Sequence, residues 1–334
     1  MRAPDFWSRP PEAPGLAARL LAPASALWKL ATRRRLRRAG QTVGAPVICV
    51  GNLTAGGSGK TPTAIALVEA LKTSQLHPAV VSRGYGGRLI GPVCVDPALH
   101  DASDVGDEPL LLAAFAPVFV ARDRASACRK AVEAGADVLV LDDGFQNPSP
   151  AKDLSLVVVD AGYGFGNGRV IPAGPLREPV PEGLSRADAV IAVGTSLERA
   201  QLVNTWPPLA ELPVLEANIA PLATGMDWEG LRVLAFAGIG RPQKFFETLR
   251  GQGAEIASTR AFPDHAAYHP RLLARLETEA RSLQAQLVTT EKDAVRLPES
   301  FRRNVLVLPV RLHLEDQGAI NTLLAPITGA RLRT

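Results

Sequence analysis

One stretch, VGNLTAGGSGKTP at Val50–Pro62, constrains this chain more than any other. It follows the apolar run Pro46–Val50 and leads into the apolar-periodic segment PTAIALVEALKTSQ (Pro62–Gln75). A buried strand, a glycine-rich turn and a helix with Pro in its first turn leave several backbone N–H groups aimed at one spot. Gly59, Lys60 and Thr61 fit the end of the pattern G-x-x-x-x-G-K-[ST]. Thr54 holds the leading glycine position, and Gly56 and Gly57 supply the backbone freedom instead. Thr54, Ala55, Gly56, Gly57, Ser58, Gly59, Lys60 and Thr61 are therefore read as a phosphate cradle. Lys60 would reach the transferred group, and the Thr61 hydroxyl a Mg²⁺ ion.

The remainder alternates short β-branched runs with helical segments. PAVVSRG (Pro78–Gly84), PVFVA (Pro117–Ala121), ADVLVLDDG (Ala136–Gly144), LSLVVVDA (Leu154–Ala161) and ADAVIAVG (Ala187–Gly194) read as strands. EPLLLAAFA (Glu108–Ala116) and RASACRKAVEAG (Arg124–Gly135) read as helices. This pattern predicts an α/β fold whose parallel sheet is covered on both faces. A second βα series begins at Leu231, continues through a helix at Pro270–Ala285 and a strand at Gln286–Ala294, and closes with NVLVLPVRLHL (Asn304–Leu314). The expected division is an N-terminal segment 1–40, a phosphate-loop domain 41–204, a proline-rich linker 205–230 and a smaller α/β domain 231–334. With 46% apolar and 21% charged residues, the chain can bury a core of that size. Cys49, Cys94 and Cys128 lack metal spacing and read as reduced thiols of a cytosolic compartment.

Charge is concentrated at one end. The first forty residues carry nine basic side chains against Asp5 and Glu12, so the net +4 of the whole chain leaves the rest slightly acidic. Within that end, GLAARLLAPASALWKLATRRRLRR (Gly15–Arg38) places its arginines after its apolar clusters, the reverse of a secretory signal. Arg19, Pro23 and Lys29 interrupt it well short of the roughly 20 apolar residues that a spanning helix needs. Three readings stand: an amphipathic helix on an anionic membrane surface, a solvated helix packed on its own domain, and a polyanion patch. Aromatic residues at 5% and the lack of a nucleic-acid module argue against nucleic acid.

Two acidic pairs accompany the phosphate loop. Asp142 and Asp143 sit at the carboxyl end of a strand, where open parallel sheets collect ligands, and either is placed to hold Mg²⁺. Asp107 and Glu108 open a helix in GDEP, a position that dipole effects alone also favour. DAGYGFGNGRVIPAGPLRE (Asp160–Glu178) lacks dinucleotide spacing and reads as an acceptor-side loop; GIGRP (Gly238–Pro242) reads as a tight turn. His265 and His269 have zinc-like spacing but no third ligand, and His77, His100 and His313 join no constellation.

Taken in order, GNLTAGGSGKTP, SRGYGG (Ser82–Gly87), VGDEPLLLA (Val105–Ala113), VLDDGFQ (Val140–Gln146), IPAGPLREP (Ile171–Pro179), FPDHAAYHP (Phe262–Pro270) and VTTEKDAVRL (Val288–Leu297) resemble the tetraacyldisaccharide 4′-kinases of lipid A biosynthesis across nearly the whole chain. In that family the phosphate loop itself runs T-x-G-G-x-G-K-T-P. The resemblance implies a P-loop NTPase-like domain, ATP and Mg²⁺, and transfer of the γ-phosphoryl group to the 4′-hydroxyl of a tetraacyldisaccharide 1-phosphate, giving lipid IVA. It implies Asp107 as base or hydroxyl-orienting residue, paired with His265 from the smaller domain, with Lys60 as the third catalytic group. Thr61, Glu108, Asp142 and Asp143 become metal-sphere residues, and Arg83, Tyr85, Arg177 and Lys292 acceptor or phosphate contacts. Arg122 and Arg124 are weaker candidates, as surface arginines. The N-terminal segment would dock a peripheral or monotopic enzyme, with no signal peptide and no obligate protein partner, on the cytoplasmic face of the inner membrane. One departure is Ala266, where the family often has a second histidine. Two rivals remain: a GTPase-type switch, for which TEKD (Thr290–Asp293) is a partial guanine-reading motif, and a non-catalytic polyanion binder.

Overall fold

The computed structural model describes residues 3–329. Arg2, counted in the basic end, and residues 330–334 of the expected smaller domain lie outside the described residues. The strands, in chain order, are β1 (Val47–Gly51), β2 (Pro78–Ser82), β3 (Val93–Cys94), β4 (Val118–Val120), β5 (Val138–Asp142), β6 (Leu154–Asp160) and β7 (Ala189–Val193). They continue as β8 (Val214–Pro221), β9 (Arg232–Ala237), β10 (Glu255–Ala261), β11 (Gln286–Thr290), β12 (Val305–Leu308) and β13 (Val310–Leu314).

Two sheets result. The larger has nine strands in the order β13-β8-β7-β6-β1-β5-β2-β4-β3, and the smaller four in the order β10-β9-β11-β12. Only the outermost pairs of the larger sheet, β13 with β8 and β3 with β4, are antiparallel. β1 and β5 are buried along their whole length, and period-two alternation sends their side chains to opposite cores. Val47, Cys49, Leu139 and Leu141 face one core. Ile48, Val50, Val138 and Val140 face the other, where Ala64, Ile65, Val68 and Leu71 of the helix Lys60–Thr73 meet them. The smaller sheet repeats the design, with Val233, Ala235 and Ala237 packing on Phe245, Phe246 and Leu249.

The topology departs from the expected division. The segment 205–230 contains β8, which pairs with β7 in the larger sheet. NVLVLPVRLHL is two strands rather than one: β12 completes the smaller sheet, and beyond Pro309 the chain crosses back as β13 to the larger. Proline has no N–H for a ladder, so the run breaks there. The helix Gln317–Thr328 then packs Ile320 and Leu324 into the larger domain's core. The expected strand Gln286–Ala294 likewise stops at Thr290, whose hydroxyl accepts the Asp293 N–H at 3.1 Å and starts the helix Glu291–Ala294.

The N-terminal segment forms helices at Leu16–Leu20 and Ala22–Leu36. Their polarity is inverted relative to a packed helix: Ser25 and Thr32 are buried, while Leu16, Leu20, Leu27 and Leu30 are each at least 64% exposed. Small polar residues suit the inner face, because the Ser25 hydroxyl donates to the Val170 carbonyl at 2.6 Å. Among the described residues no helix is long and apolar enough to cross a membrane.

Candidate active site

The phosphate loop leaves the carboxyl end of β1, between β5 and β6, where successive connections depart to opposite sides. The loop Asp160–Glu178 braces it. Arg177 N–H donates to Leu53 O at 2.7 Å and Ala55 N–H to Pro175 O at 2.8 Å. The helix Ala22–Leu36 joins that brace through the Trp28 indole, which donates to Arg177 O at 3.0 Å. Beyond Thr54, which is buried, Gly56 and Gly57 are exposed, and a Cβ on either would meet nothing within 4 Å. Ser58 is buried, and its hydroxyl has no partner among the described residues. Lys60 and Thr61 are half-buried at the start of the following helix.

Asp142 and Asp143 end side by side in sequence but in different environments. The Asp143 carboxylate lies 2.7 Å from Arg177 Nη1 and 3.8 Å from Lys60 Nζ. Burial works against its charge, but Lys60 and Arg177 outweigh burial and hold it well below the usual carboxylate range. Its backbone is in the left-handed region, φ 52°, and Arg124 Nη2 donates to its carbonyl at 2.8 Å. Arg124 is thus a buried anchor rather than a surface arginine; Arg122 is exposed. Asp142 has one carboxylate oxygen without any partner among the described residues. Burial, with Glu108 and Asp143 nearby, pushes it up to about 7.

The second acidic pair meets the smaller domain. Gly106 turns the chain before Asp107 with φ 92°, and a Cβ there would come within 2.5 Å of Tyr85 O, so the turn admits only glycine. His265 Nδ1 lies 2.9 and 3.0 Å from the two Asp107 oxygens. Burial raises Asp107, but the His265 hydrogen bond together with Lys292 and Arg296 leaves it below the usual carboxylate value. As an ionised acceptor it requires Nδ1 to be the donor. Reciprocally, the Asp107 hydrogen bond raises His265 despite its burial and the nearby Lys292. Lys292 Nζ crosses the same interface to Glu108 at 3.1 Å and stands 3.5 Å from Asp264. The exposed Tyr85 ring meets the His265 ring edge-on, 5.5 Å between centroids. Arg83 is exposed and its side chain makes no hydrogen bond or ion pair among the described residues.

Sequence reasoning missed what holds His265 in place. Arg296, 6% exposed, donates to Ala266 O at 3.0 Å and Gly238 O at 2.8 Å, pairs with Asp293, and lies 3.7 Å from Asp107. Asp293 also accepts from Tyr268 at 2.5 Å and from Gly238 N–H at 2.9 Å. The aspartate of TEKD is therefore fully committed and buried, which removes the base-reading role that a GTPase would need. Its place in VTTEKDAVRL, three residues from an arginine, was the available signal.

A phosphate loop facing a carboxylate–imidazole pair can bind a polyphosphate and deprotonate or orient a hydroxyl beside it. The sequence pattern of the family described as Tetraacyldisaccharide-1-P 4′-kinase matches residues 17–328. A tetraacyldisaccharide 4′-kinase of Dinoroseobacter shibae is 58% identical over 326 residues, covering 97% of each chain. One of Jannaschia sp. is 51% identical over 330 residues, 98% of this chain and all of that one. Among solved structures, the "apo" form of LpxK from Aquifex aeolicus in complex with ATP superposes with a TM-score of 0.75 at 26% identity, over 94% of this chain and 100% of that one. With the match running almost end to end, the chain belongs to the tetraacyldisaccharide 4′-kinase family.

Proposed function

We propose that this chain transfers the γ-phosphoryl group of ATP to the 4′-hydroxyl of a tetraacyldisaccharide 1-phosphate, forming lipid IVA in lipid A biosynthesis. The observation that carries the reading is the Asp107–His265 pair, made across two domains at 2.9 Å beside a phosphate loop. The larger domain acts as a P-loop NTPase-like unit. Backbone N–H groups of Gly56–Gly59 and the Lys60 ammonium hold the ATP phosphates. Asp107, kept ionised by His265, accepts or orients the acceptor hydroxyl proton. Tyr85, Arg83, Arg177 and Lys292 line the acceptor and phosphate side.

The donor set suits Mg²⁺. Asp142 has a buried oxygen without a partner, whereas Asp143 is already taken by Arg177 and Lys60. Among the described residues no group of three or more His, Cys, Asp or Glu converges as a full cage. A metal that keeps waters and phosphate oxygens needs only one or two protein carboxylates. Asp142 and the Thr61 hydroxyl would hold it, with Glu108 and Asp143 around them. Bound there, the ion neutralises charge on the transferring phosphoryl group.

The leucine face of the N-terminal helices enters an anionic membrane surface, with Arg34, Arg35, Arg37 and Arg38 at its end. On this reading the enzyme binds peripherally or monotopically to the cytoplasmic face of the inner membrane, where its acceptor resides. The test is an assay of purified protein with ATP, Mg²⁺ and a tetraacylated disaccharide 1-phosphate. Wild type gives the 4′-phosphorylated lipid and ADP, and Asp107→Ala loses turnover while ATP affinity holds. GTP turnover without lipid phosphorylation would overturn the proposal.

A further inference from the structure

A second polar contact joins the two domains, on the side of the phosphate loop away from Asp107. Asp160 ends β6, the neighbour of β1 on that side, whereas the Asp107 helix packs toward β4. From the smaller domain, Arg241 Nη1 reaches Asp160 Oδ2 at 2.6 Å and Lys244 Nζ reaches the same carboxylate at 3.0 Å. The Arg241 guanidinium also lies over the Tyr163 ring, 4.5 Å from its centroid. Asp160 is 12% exposed, Arg241 30% and Lys244 49%, so the contact is shielded at its carboxylate and open to solvent at the lysine.

Between the two contacts lies the turn Gly238–Arg241, directly above the phosphate loop. A Cβ on Gly240 would stand 3.4 Å from Gly57 N, in van der Waals contact with the cradle. Glu291 of the smaller domain also pairs with Arg311 of β13 at 3.0 Å, close to the chain crossing at Pro309. The Asp107 and Asp160 contacts are set apart by flanking the cradle, so that together they limit rotation of the smaller domain over it and set the approach of His265 to Asp107. We infer that Asp160, through Arg241 and Lys244, is a positioning residue that sets the closed geometry of the smaller domain over the phosphate loop. Its carboxylate makes no chemical step; it holds a second anchor for the domain that delivers His265. Substitution there loosens domain placement and lowers turnover without weakening the larger domain's hold on nucleotide.

The inference rests on Asp107 and His265 being the reacting pair, and its test separates the two. Spin labels on cysteines at Glu69 and Arg275, in a Cys94→Ser background, report the interdomain distance of the full-length protein. Asp160→Asn is expected to broaden that distribution in the presence of a non-hydrolysable ATP analogue. Its kcat falls at least about tenfold, while analogue affinity stays within about twofold. Arg241→Gln/Lys244→Gln, altered on the opposite domain, gives the same pattern should Asp160→Asn fold poorly. Reversing the charges together (Asp160→Lys, Arg241→Glu, Lys244→Glu) restores kcat to within about threefold of wild type. Wild-type kcat in both charge-neutralised variants, lost activity with unchanged distances, or a folded reversal variant without recovery would each overturn the inference. Should instead the Asp107 assignment be the faulty one, Asp107→Ala turns over normally while the distance changes of Asp160→Asn persist.

Discussion

Asp142→Asn offers a test in which losing a charge strengthens the resting protein. In the folded chain burial, with Glu108 and Asp143, pushes this carboxyl up to about 7, against an ordinary 3.8. The gap of about 3, at roughly 1.4 kcal/mol for each, makes full ionisation cost on the order of 4 kcal/mol. Between those two values the folded state keeps a proton that the unfolded state has released. The contribution of Asp142 to stability is therefore greatest below about pH 4 and falls as pH climbs through 7. An isosteric amide escapes the cost. Urea unfolding of metal-free, nucleotide-free wild type and Asp142→Asn, followed by circular dichroism at pH 5 and pH 8, isolates this group as the difference between the two proteins. The variant is expected to be more stable by on the order of 2–4 kcal/mol at pH 8, and by much less at pH 5. Adding ATP with Mg²⁺ should reverse the ranking at pH 8, since wild type alone offers the free carboxylate oxygen. A variant less stable than wild type at pH 8, or a difference that ignores pH, would refute the reasoning.

Arg296→Lys removes a guanidinium that bridges Ala266, Gly238 and Asp293; kcat should fall by tenfold or more, with ATP affinity nearly unchanged. Leu20→Gln/Leu27→Gln/Leu30→Gln replaces exposed side chains that bury nothing within the protein. At roughly 1 kcal/mol each, anionic-liposome partitioning should drop about a hundredfold with thermal stability intact. His265 is raised by Asp107, so the imidazolium–carboxylate pair is complete below about 6.5 and is lost as pH rises through the raised value. The alkaline limb of the wild-type kcat profile should therefore be missing from His265→Gln.

Local chemistry was legible in the sequence, and long-range meeting was not. The phosphate loop announces itself because strand, glycines, Lys60 and helix are contiguous. Asp142 and Asp143 share that advantage, but only their surroundings separate a carboxylate taken by Arg177 from one left unpaired. Asp107 and His265 are 158 residues apart, so their contact was reachable only through resemblance. Arg124 looked like one surface arginine among many because burial is a property of the packed helix Arg124–Glu133. β8 was passed over because its burial alternates at only a few positions between flanking prolines, a pattern that a loop imitates. β13 was legible as a strand, but nothing in its residues says which sheet it joins.

The paired crossings at the sheet edge carry one more implication. Because β8 leaves the larger sheet and β13 returns to lie antiparallel beside it, the smaller domain is an insertion whose two ends are adjacent, Leu222 N–H donating to Pro309 O at 2.9 Å. Cutting the chain at Gly230 would strip an edge strand and the last helix from the larger domain. Excising 222–309 and joining Pro221 to Val310 through a tight hairpin would instead leave every strand of the nine in place. Such a minimal protein should grip nucleotide yet be chemically silent, a physical dissection of capture from transfer.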